Sequence, residues 1–350
     1  MTKRIGILTG GGDCPGLNAV IRAIVRKGML LGYEMVGVME GWRGMLDKKT
    51  VVLTRNMISG ILQKGGTILK TTRTNPYNTE DGPKLVAKNF HEMGFHALIA
   101  IGGEDTLGVA SKLYEQEKLN VVGVPKTIDN DLSGTDQTFG FDTAITVATD
   151  AIDRLHTTAE SHQRVLVCEV MGRHAGWIAA YAGLAGGADY ILIPEVPVDV
   201  NKLCESIAKR HNLGKDFSII VVSEGAKLSD ETLGENGLVL QHGKKDAFGH
   251  VILGGIGKTM SDIIQEKTGY ETRYTILGHI QRGGSPTAYD RVLGTRYGIH
   301  AMELVHSGQF GKMSALRGND IVGVDLAKAT ERLKTVPVEF FRDNIEIFFE

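Results

Sequence analysis

Arg4-Ile5-Gly6-Ile7-Leu8-Thr9-Gly10-Gly11-Gly12-Asp13-Cys14-Pro15-Gly16-Leu17-Asn18 is the stretch that decides the fold. Arg4 to Leu8 is a short apolar run of the kind that forms a buried strand, and apolar residues at helical spacing take over from Leu17 to Leu31. Three consecutive glycines stand between them. Lacking a Cβ, they let backbone N–H groups face an anion at the positive end of a helix. The loop is not a Gly-x-Gly-x-x-Gly fingerprint, because Pro15 holds the last position, and not a P-loop, because no Gly-Lys-Ser/Thr follows. On its own it is either a phosphate site or a tight structural turn.

The same alternation continues along the chain. Ala97 to Ile101, Asn120 to Val124, Arg164 to Val170, Tyr190 to Ile193, Ser218 to Val222 and Thr275 to Leu277 read as further strands, with helical spacing at Thr106 to Glu117, Thr143 to Thr157 and Gly257 to Lys267. Strand followed by helix, repeated, implies an α/β chain of parallel sheets with right-handed crossovers. Functional residues are then expected at the carboxyl ends of strands. Lys227 to Gly249 is polar, turn-rich and without an apolar period, so it reads as a surface insertion or hairpin.

A length of 350 residues suits two domains or one large one. Lys plus Arg number 39 and Asp plus Glu 41, a net charge of −2 that gives no support to a nucleic-acid binder. Ile178 to Ile193 is among the most apolar segments, yet it contains Asp189 and falls short of the roughly 20 apolar residues that cross a bilayer, so no membrane partner is expected. Lys3 and Arg4 lead directly into the first strand, unlike a signal peptide, which makes a cytoplasmic location the expectation. Cys14, Cys168 and Cys204 show no Cys-x-x-Cys spacing and read as reduced structural thiols. Glycine, at 45 of 350 residues, is nearly twice its usual share of about 7%, so where it clusters carries information.

Two more candidate loops follow strands, the first of them with glycines. Ile101-Gly102-Gly103-Glu104-Asp105-Thr106 carries two carboxylates that either cap a helix or, through Glu104, place a hard oxygen for Mg²⁺ beside a phosphate. Pro125-Lys126-Thr127-Ile128-Asp129-Asn130-Asp131 sets two carboxylates two residues apart, on one side if the chain stays extended, with a lysine before them. That suits deprotonation of a hydroxyl beside a charged substrate, and it also suits a surface turn. Arg73, Arg164, the run Met171-Gly172-Arg173-His174-Ala175-Gly176 and the run Leu277-Gly278-His279-Ile280-Gln281-Arg282 add cations, most of them near strand ends, consistent with holding phosphate groups. His91, His96, His211, His242 and His306 have no ligand spacing.

Together these motifs, in this order from Gly6 to about Lys334, resemble the phosphofructokinase family, which phosphorylates fructose 6-phosphate at its 1-hydroxyl. The resemblance implies two doubly wound α/β domains with mainly parallel sheets and the active site in the cleft between them. A larger donor-binding domain would hold residues 1–140 and 281–331, a smaller sugar-phosphate domain 141–280, and 332–350 would form a tail. It further implies Asp129 as the base, with Thr127 and Asp131 in the same site, and Glu104 at the Mg²⁺ position. Gly12 and Arg73 would contact the phosphoryl donor, and Arg73 is counted with the catalytic residues. Met171, Gly172, Arg173 and Glu224 would bind the sugar. Arg164, Arg273, His279 and Arg282 would hold its 6-phosphate, the first two from a neighbouring subunit of a homodimer or homotetramer.

Asp105 and Lys126 stand where ATP-using relatives carry glycine, and this pair resembles the pyrophosphate-dependent branch of the family. Physically, a carboxylate at 105 adds bulk and negative charge where a nucleotide α-phosphate would lie, and Lys126 adds a cation for a terminal phosphate. The implied reaction is reversible transfer from pyrophosphate to fructose 6-phosphate in glycolysis, with an ATP-dependent enzyme as the alternative. A dinucleotide-dependent oxidoreductase is the distant one: Gly10-x-Gly12 and Glu40 mimic its fingerprint, but Pro15 argues against it. Arg22, Arg26 and Arg55 match an effector site in which His156 replaces a further arginine, so effector control is expected to be weak or absent.

Overall fold

In the computed structural model, which describes residues 2–229, 240–245 and 251–349, the chain divides into two units. One comprises Met1–Thr143 and Arg282–Leu333, the other Ala144–Lys245, His250–Gln281 and Lys334–Glu350. Strands β1 (Arg4–Thr9), β2 (Glu34–Val38), β3 (Thr50–Val52), β4 (Phe95–Gly102) and β5 (Val121–Pro125) belong to the first unit. The second holds β6 (Val165–Val170), β7 (Tyr190–Leu192), β8 (Ser218–Ser223), β9 (Leu240–Lys245), β10 (Val251–Leu253) and β11 (Thr272–Ile276). The first is completed by β12 (Lys312–Arg317) and β13 (Asp320–Asp325).

The first unit's sheet has seven strands in the order β13-β12-β5-β4-β1-β2-β3. Its five inner strands are parallel, and β3 and β13 close the edges antiparallel. Ile5, Ile7, Leu8, Ala97 to Ile101, Val121, Val122 and Val124 are all fully buried, as strands covered on both faces require. From β1 the chain moves outward to β2 and β3, then returns to β4 on the other side, so the strand order reverses between β1 and β4. In the second unit the parallel order β11-β6-β8-β7 reverses between β6 and β11. Ligand loops of open α/β sheets gather at such reversals, beyond the carboxyl ends of the strands.

Each strand read from an apolar run is present, β11 starting at Thr272 instead of Thr275, and β2, β3, β12 and β13 are additions. Strand β3 is short and half exposed, so it has no apolar signature. Strands β12 and β13 form a hairpin over Gly318, whose φ of 56° supplies the turn conformation, and β13 alternates weakly because it is only half-buried. Within the expected insertion, β9 and β10 pair antiparallel, and residues 230–239 and 246–250 lie outside the described residues. The segment from Lys334, expected as a tail, belongs to the second unit, where Phe341 on the helix Val338–Asn344 is 2% exposed. Among the described residues, no helix is long and apolar enough to cross a membrane.

One buried carboxylate fixes the start of the long helix Phe141–His162. Asp290, 0% exposed, accepts N–H groups from Gly140 at 2.9 Å and Thr143 at 2.8 Å, and the Thr143 hydroxyl at 2.6 Å. Burial nevertheless outweighs these bonds and pushes the carboxyl from its ordinary 3.8 up to about 6. Because the folded value lies above the unfolded one, the folded state holds the proton more tightly. The group's contribution to stability is therefore complete below about pH 4 and is lost as pH rises towards 6. Asp290→Asn cannot ionise, so the urea midpoint of the wild type minus that of the variant should shrink from pH 4.5 to pH 7. A gap that widens over this range would contradict the assignment.

Candidate active site

Adjacent strands β5, β4 and β1 each end in one of the three candidate loops, and the ladder continues one residue past them. Gly10 N donates to Ile101 O and Lys126 N to Gly102 O, both at 2.9 Å. With strands about 4.8 Å apart, the three loops emerge within roughly 10 Å of one another. Gly11 has φ 75°, the left-handed conformation that favours glycine. Gly12 is a close approach: a Cβ there would lie 2.7 Å from Arg282 Nη1. Arg282 also donates to the Asp13 carbonyl at 3.3 Å, which places it against the first glycine loop, within the same unit.

Lys126 is 3% exposed, and its ammonium donates to the Gly12 carbonyl at 2.5 Å. Burial pulls its pKa below the usual lysine range, and Arg282 pulls the same way, while Cys14, Asp129 and Asp13 oppose the shift. A phosphate oxygen on this loop would supply the countercharge that favours the ammonium form. Glu104 and Asp105 begin the helix Glu104–Glu117, where carboxylates suit the positive helix end. Arg73 is exposed on the loop that follows β3. A cavity of about 550 Å³ opens beside Asp105, lined by Asn75, Tyr77, Glu104 and Lys112 among others.

Thr127, Asp129 and Asn130 are all buried, at 7%, 4% and 5% exposure. Asp129 N donates to Thr127 Oγ1 at 3.0 Å, and that hydroxyl makes a long 3.3 Å bond to Asp129 Oδ2. Asp129 Oδ1 is buried without a partner. Such an acceptor is costly unless a donor arrives, and a substrate hydroxyl is the fitting donor. Extended backbone from Asp129 to Asp131 is not found: Asn130 turns left-handed at φ 50°, so the two carboxylates do not share a side by strand alternation. Thr138 holds that turn, its N–H on Asn130 Oδ1 at 3.1 Å and its hydroxyl on the Thr127 carbonyl at 2.7 Å.

Among the described residues, no cluster of three or more His, Cys, Asp or Glu could cage a metal. Glu104 is a single hard oxygen donor, a set that suits Mg²⁺ taking its remaining ligands from water and substrate phosphate.

In the second unit, loops from β6, β8 and β11 converge at the carboxyl ends. Met171 N donates to Gln281 Oε1 at 3.3 Å, and Arg173 N to Glu224 Oε1 at 3.2 Å. Gly172 and Arg173 take φ of 147° and 50°, which gives the loop its sharp bend. His279 is exposed on the turn after β11. Arg164 and Arg273 lie elsewhere, at the amino ends of β6 and β11, where both pair with Glu271, at 2.7 and 2.6 Å. These two candidates therefore stand at the opposite strand ends from the loops where functional residues are expected. His156 bonds the Gly186 carbonyl at 2.7 Å, while Arg22, Arg26 and Arg55 belong to the first unit.

Sequence reasoning did not single out Thr138, Gln281 or Thr106 as individual residues. Their parts are bonds and contacts that simple spacing does not encode, and only Gly10 and Gly102, which leave room for Thr106, hint at one of them.

A family model described as Phosphofructokinase matches residues 4–305. The chain is 58% identical over 349 residues to the pyrophosphate--fructose 6-phosphate 1-phosphotransferase of Amycolatopsis methanolica, with 99% of each chain covered. It is 52% identical over 335 residues to ATP-dependent 6-phosphofructokinase 3 of Streptomyces coelicolor, covering 95% of this chain and 96% of that one. Its fold is similar to the crystal structure of a pyrophosphate-dependent phosphofructokinase from Marinobacter aquaeolei, with TM-score 0.82, 22% identity, and 98% of this chain and 87% of that chain covered.

Removing the Thr138 hydroxyl should expose how much the turn depends on it. Thr138→Val keeps the shape but leaves the buried Thr127 carbonyl unpaired, which should lower the unfolding free energy in urea by about 1–3 kcal/mol. Thr138→Ser keeps the donor and should lose less. Equal stability of Thr138→Val and the wild type would refute this.

Proposed function

Because the chain belongs to the phosphofructokinase family, we propose that it transfers a phosphoryl group reversibly from pyrophosphate to the 1-hydroxyl of fructose 6-phosphate. The products are fructose 1,6-bisphosphate and phosphate. The observation that carries the donor assignment is the Lys126 ammonium, buried and bonded to the Gly12 carbonyl on the phosphate-facing loop. Asp105, in the first turn of the facing helix, sets a carboxylate against any donor that continues past its second phosphate. Like charges repel more strongly in a partly desolvated site than in water, so a nucleotide is excluded where pyrophosphate ends in time.

Asp129 acts as general base. Oδ1 accepts the proton of the 1-hydroxyl as the new P–O bond forms and the bridging P–O bond of pyrophosphate breaks, and the released phosphate carries the electron pair away. Thr127 and the backbone turn hold the carboxylate in place. Arg73 and Lys126 balance charge on the donor. Glu104 would hold Mg²⁺, which when bound neutralises phosphate charge. Met171, Gly172, Arg173, Glu224, His279 and Arg282 bind the sugar phosphate.

Arg164 and Arg273 serve a neighbouring copy's 6-phosphate in this reading. They sit at the amino ends of strands of six and five residues, roughly 15–20 Å from the loops at the other end, too far to share one phosphate with them. Arg164 Nε is buried without a partner, a donor that a neighbour's phosphate would satisfy. Homodimer or homotetramer formation follows from this division.

Parallel assays with Mg²⁺ and fructose 6-phosphate, one with pyrophosphate and one with ATP, test the donor. The wild type should use pyrophosphate. Lys126→Gly should lose that activity, and Asp105→Gly should raise ATP-dependent turnover, most of all combined with Lys126→Gly. Equal use of both donors by the wild type, or an unchanged donor ratio in Asp105→Gly, defeats the assignment and favours the ATP reading. Asp129→Asn should lower kcat by about 10²–10⁴ with little change in KM; near-normal kcat would remove Asp129 from the role of base.

A further inference from the structure

Three side chains hold the loop from Met171 to Gly176, each accepting one of its backbone N–H groups. Gln281 takes Met171, Glu224 takes Arg173, and Glu195 takes Gly176 with both oxygens, at 3.0 and 3.2 Å. The first two belong to segments already placed at the sugar phosphate. Glu195, just beyond β7, does not. Gly176 is the residue that lets this carboxylate in, since a Cβ there would lie 2.8 Å from Glu195 Oε2 and 2.5 Å from Ile193 Cβ.

Glu195 has a second partner, the N–H of Val336 at 2.8 Å. Residues from Lys334 onward lie against the helix Trp177–Ala185, which starts where the loop ends. Trp177 Nε1 donates to the Lys334 carbonyl at 2.8 Å, and the Lys334 ammonium stands 5.6 Å above the Trp177 ring. Phe340 packs against Trp177 and Tyr181 with ring centroids 6.4 Å from each. One half-buried carboxylate therefore ties the sugar loop to the C-terminal segment, through charge-assisted bonds that are stronger than neutral ones.

We propose that Glu195 is a positioning residue for the sugar-phosphate site, holding the loop Met171–Gly176 in its binding shape and making that shape depend on the docked segment from Lys334 onward. The proposal rests on the reading of this loop as sugar-binding. Without Glu195 the far end of the loop is released, and its re-ordering is charged against sugar affinity rather than against the chemical step.

The test combines steady-state kinetics, both substrates varied, with amide hydrogen exchange of the free proteins. Glu195→Ala should raise KM for fructose 6-phosphate about tenfold, the equivalent of one charge-assisted bond, and leave kcat and KM for pyrophosphate within about twofold. Glu195→Gln, whose carbonyl still accepts an N–H, should recover part of the loss. Exchange should accelerate at residues 174–177 and stay unchanged in β6. Equal rises in both KM values, a fall in kcat alone, or wild-type kinetics would overturn the proposal. Phe340→Ala loosens the C-terminal segment without touching Glu195 and should raise the same KM; no change there overturns the dependence on that segment. Should the wild type fail to turn over fructose 6-phosphate, the substrate reading falls. Faster exchange confined to the loop in Glu195→Ala would then still support the tether, and unchanged exchange would overturn it.

Discussion

Two backbone hydrogen bonds, Gly10 N to Ile101 O and Lys126 N to Gly102 O, are the constraint on which the arrangement of the three candidate loops depends. They carry the parallel ladder past the ends of β1, β4 and β5, so the three chains leave the sheet in register instead of splaying. Thr106 then seals the arrangement from the next helix. A Cβ on Gly10 would lie 2.5 Å from its hydroxyl, and one on Gly102 would lie 2.3 Å from its Cβ. A side chain at either glycine would push away the helix that begins with Glu104 and Asp105. These two glycines thus act first by letting a helix approach, which in turn sets the carboxylates, while Gly11 and Gly12 leave backbone open to a ligand.

Burial of charge is the cost of that compactness. Lys126 is held at 3% exposure with its ammonium on a carbonyl, and Cys14 beside it is fully buried, its thiol pushed well above the ordinary range by the same desolvation. Burial thus disfavours the charged form of both groups, the ammonium of Lys126 and the thiolate of Cys14. Pyrophosphate suits this setting because its charge is compact and offsets the buried cation directly.

Much of this was legible locally. The glycine loops at strand ends, the Thr-Ile-Asp-Asn-Asp run and the α/β alternation are each written in a few adjacent residues, and short-range rules suffice to read them. What escaped was non-local or conformational. Asn130 looks like any turn residue until its φ of 50° breaks the extended run that would have put Asp129 and Asp131 on one side. Thr138 acts across its own loop, while Gln281 and Glu195 act on the backbone of Met171 and of Gly176 and Val336, and no spacing rule encodes any of these bonds. Strands β3 and β13 lie at edges, half exposed, and edges carry the weakest apolar pattern. Arg164 opens its strand as its place in the sequence requires, and Arg273 does so as well because β11 begins at Thr272.

The two oxygens of Asp129 show what the surrounding framework accomplishes. One is engaged by Thr127 and the other is left buried and unpaired. Fixing a carboxylate through a single oxygen removes its freedom to rotate while preserving one acceptor, so its orientation is settled before substrate arrives. Thr127 is held in turn through its carbonyl by Thr138, whose N–H also holds the Asn130 side chain at the left-handed turn after Asp129. A buried acceptor without a donor lowers stability, and these four bonds hold the loop that carries it. The destabilised oxygen and the rigid turn are therefore one feature of the loop, and in the proposed reaction a hydroxyl donor would satisfy it.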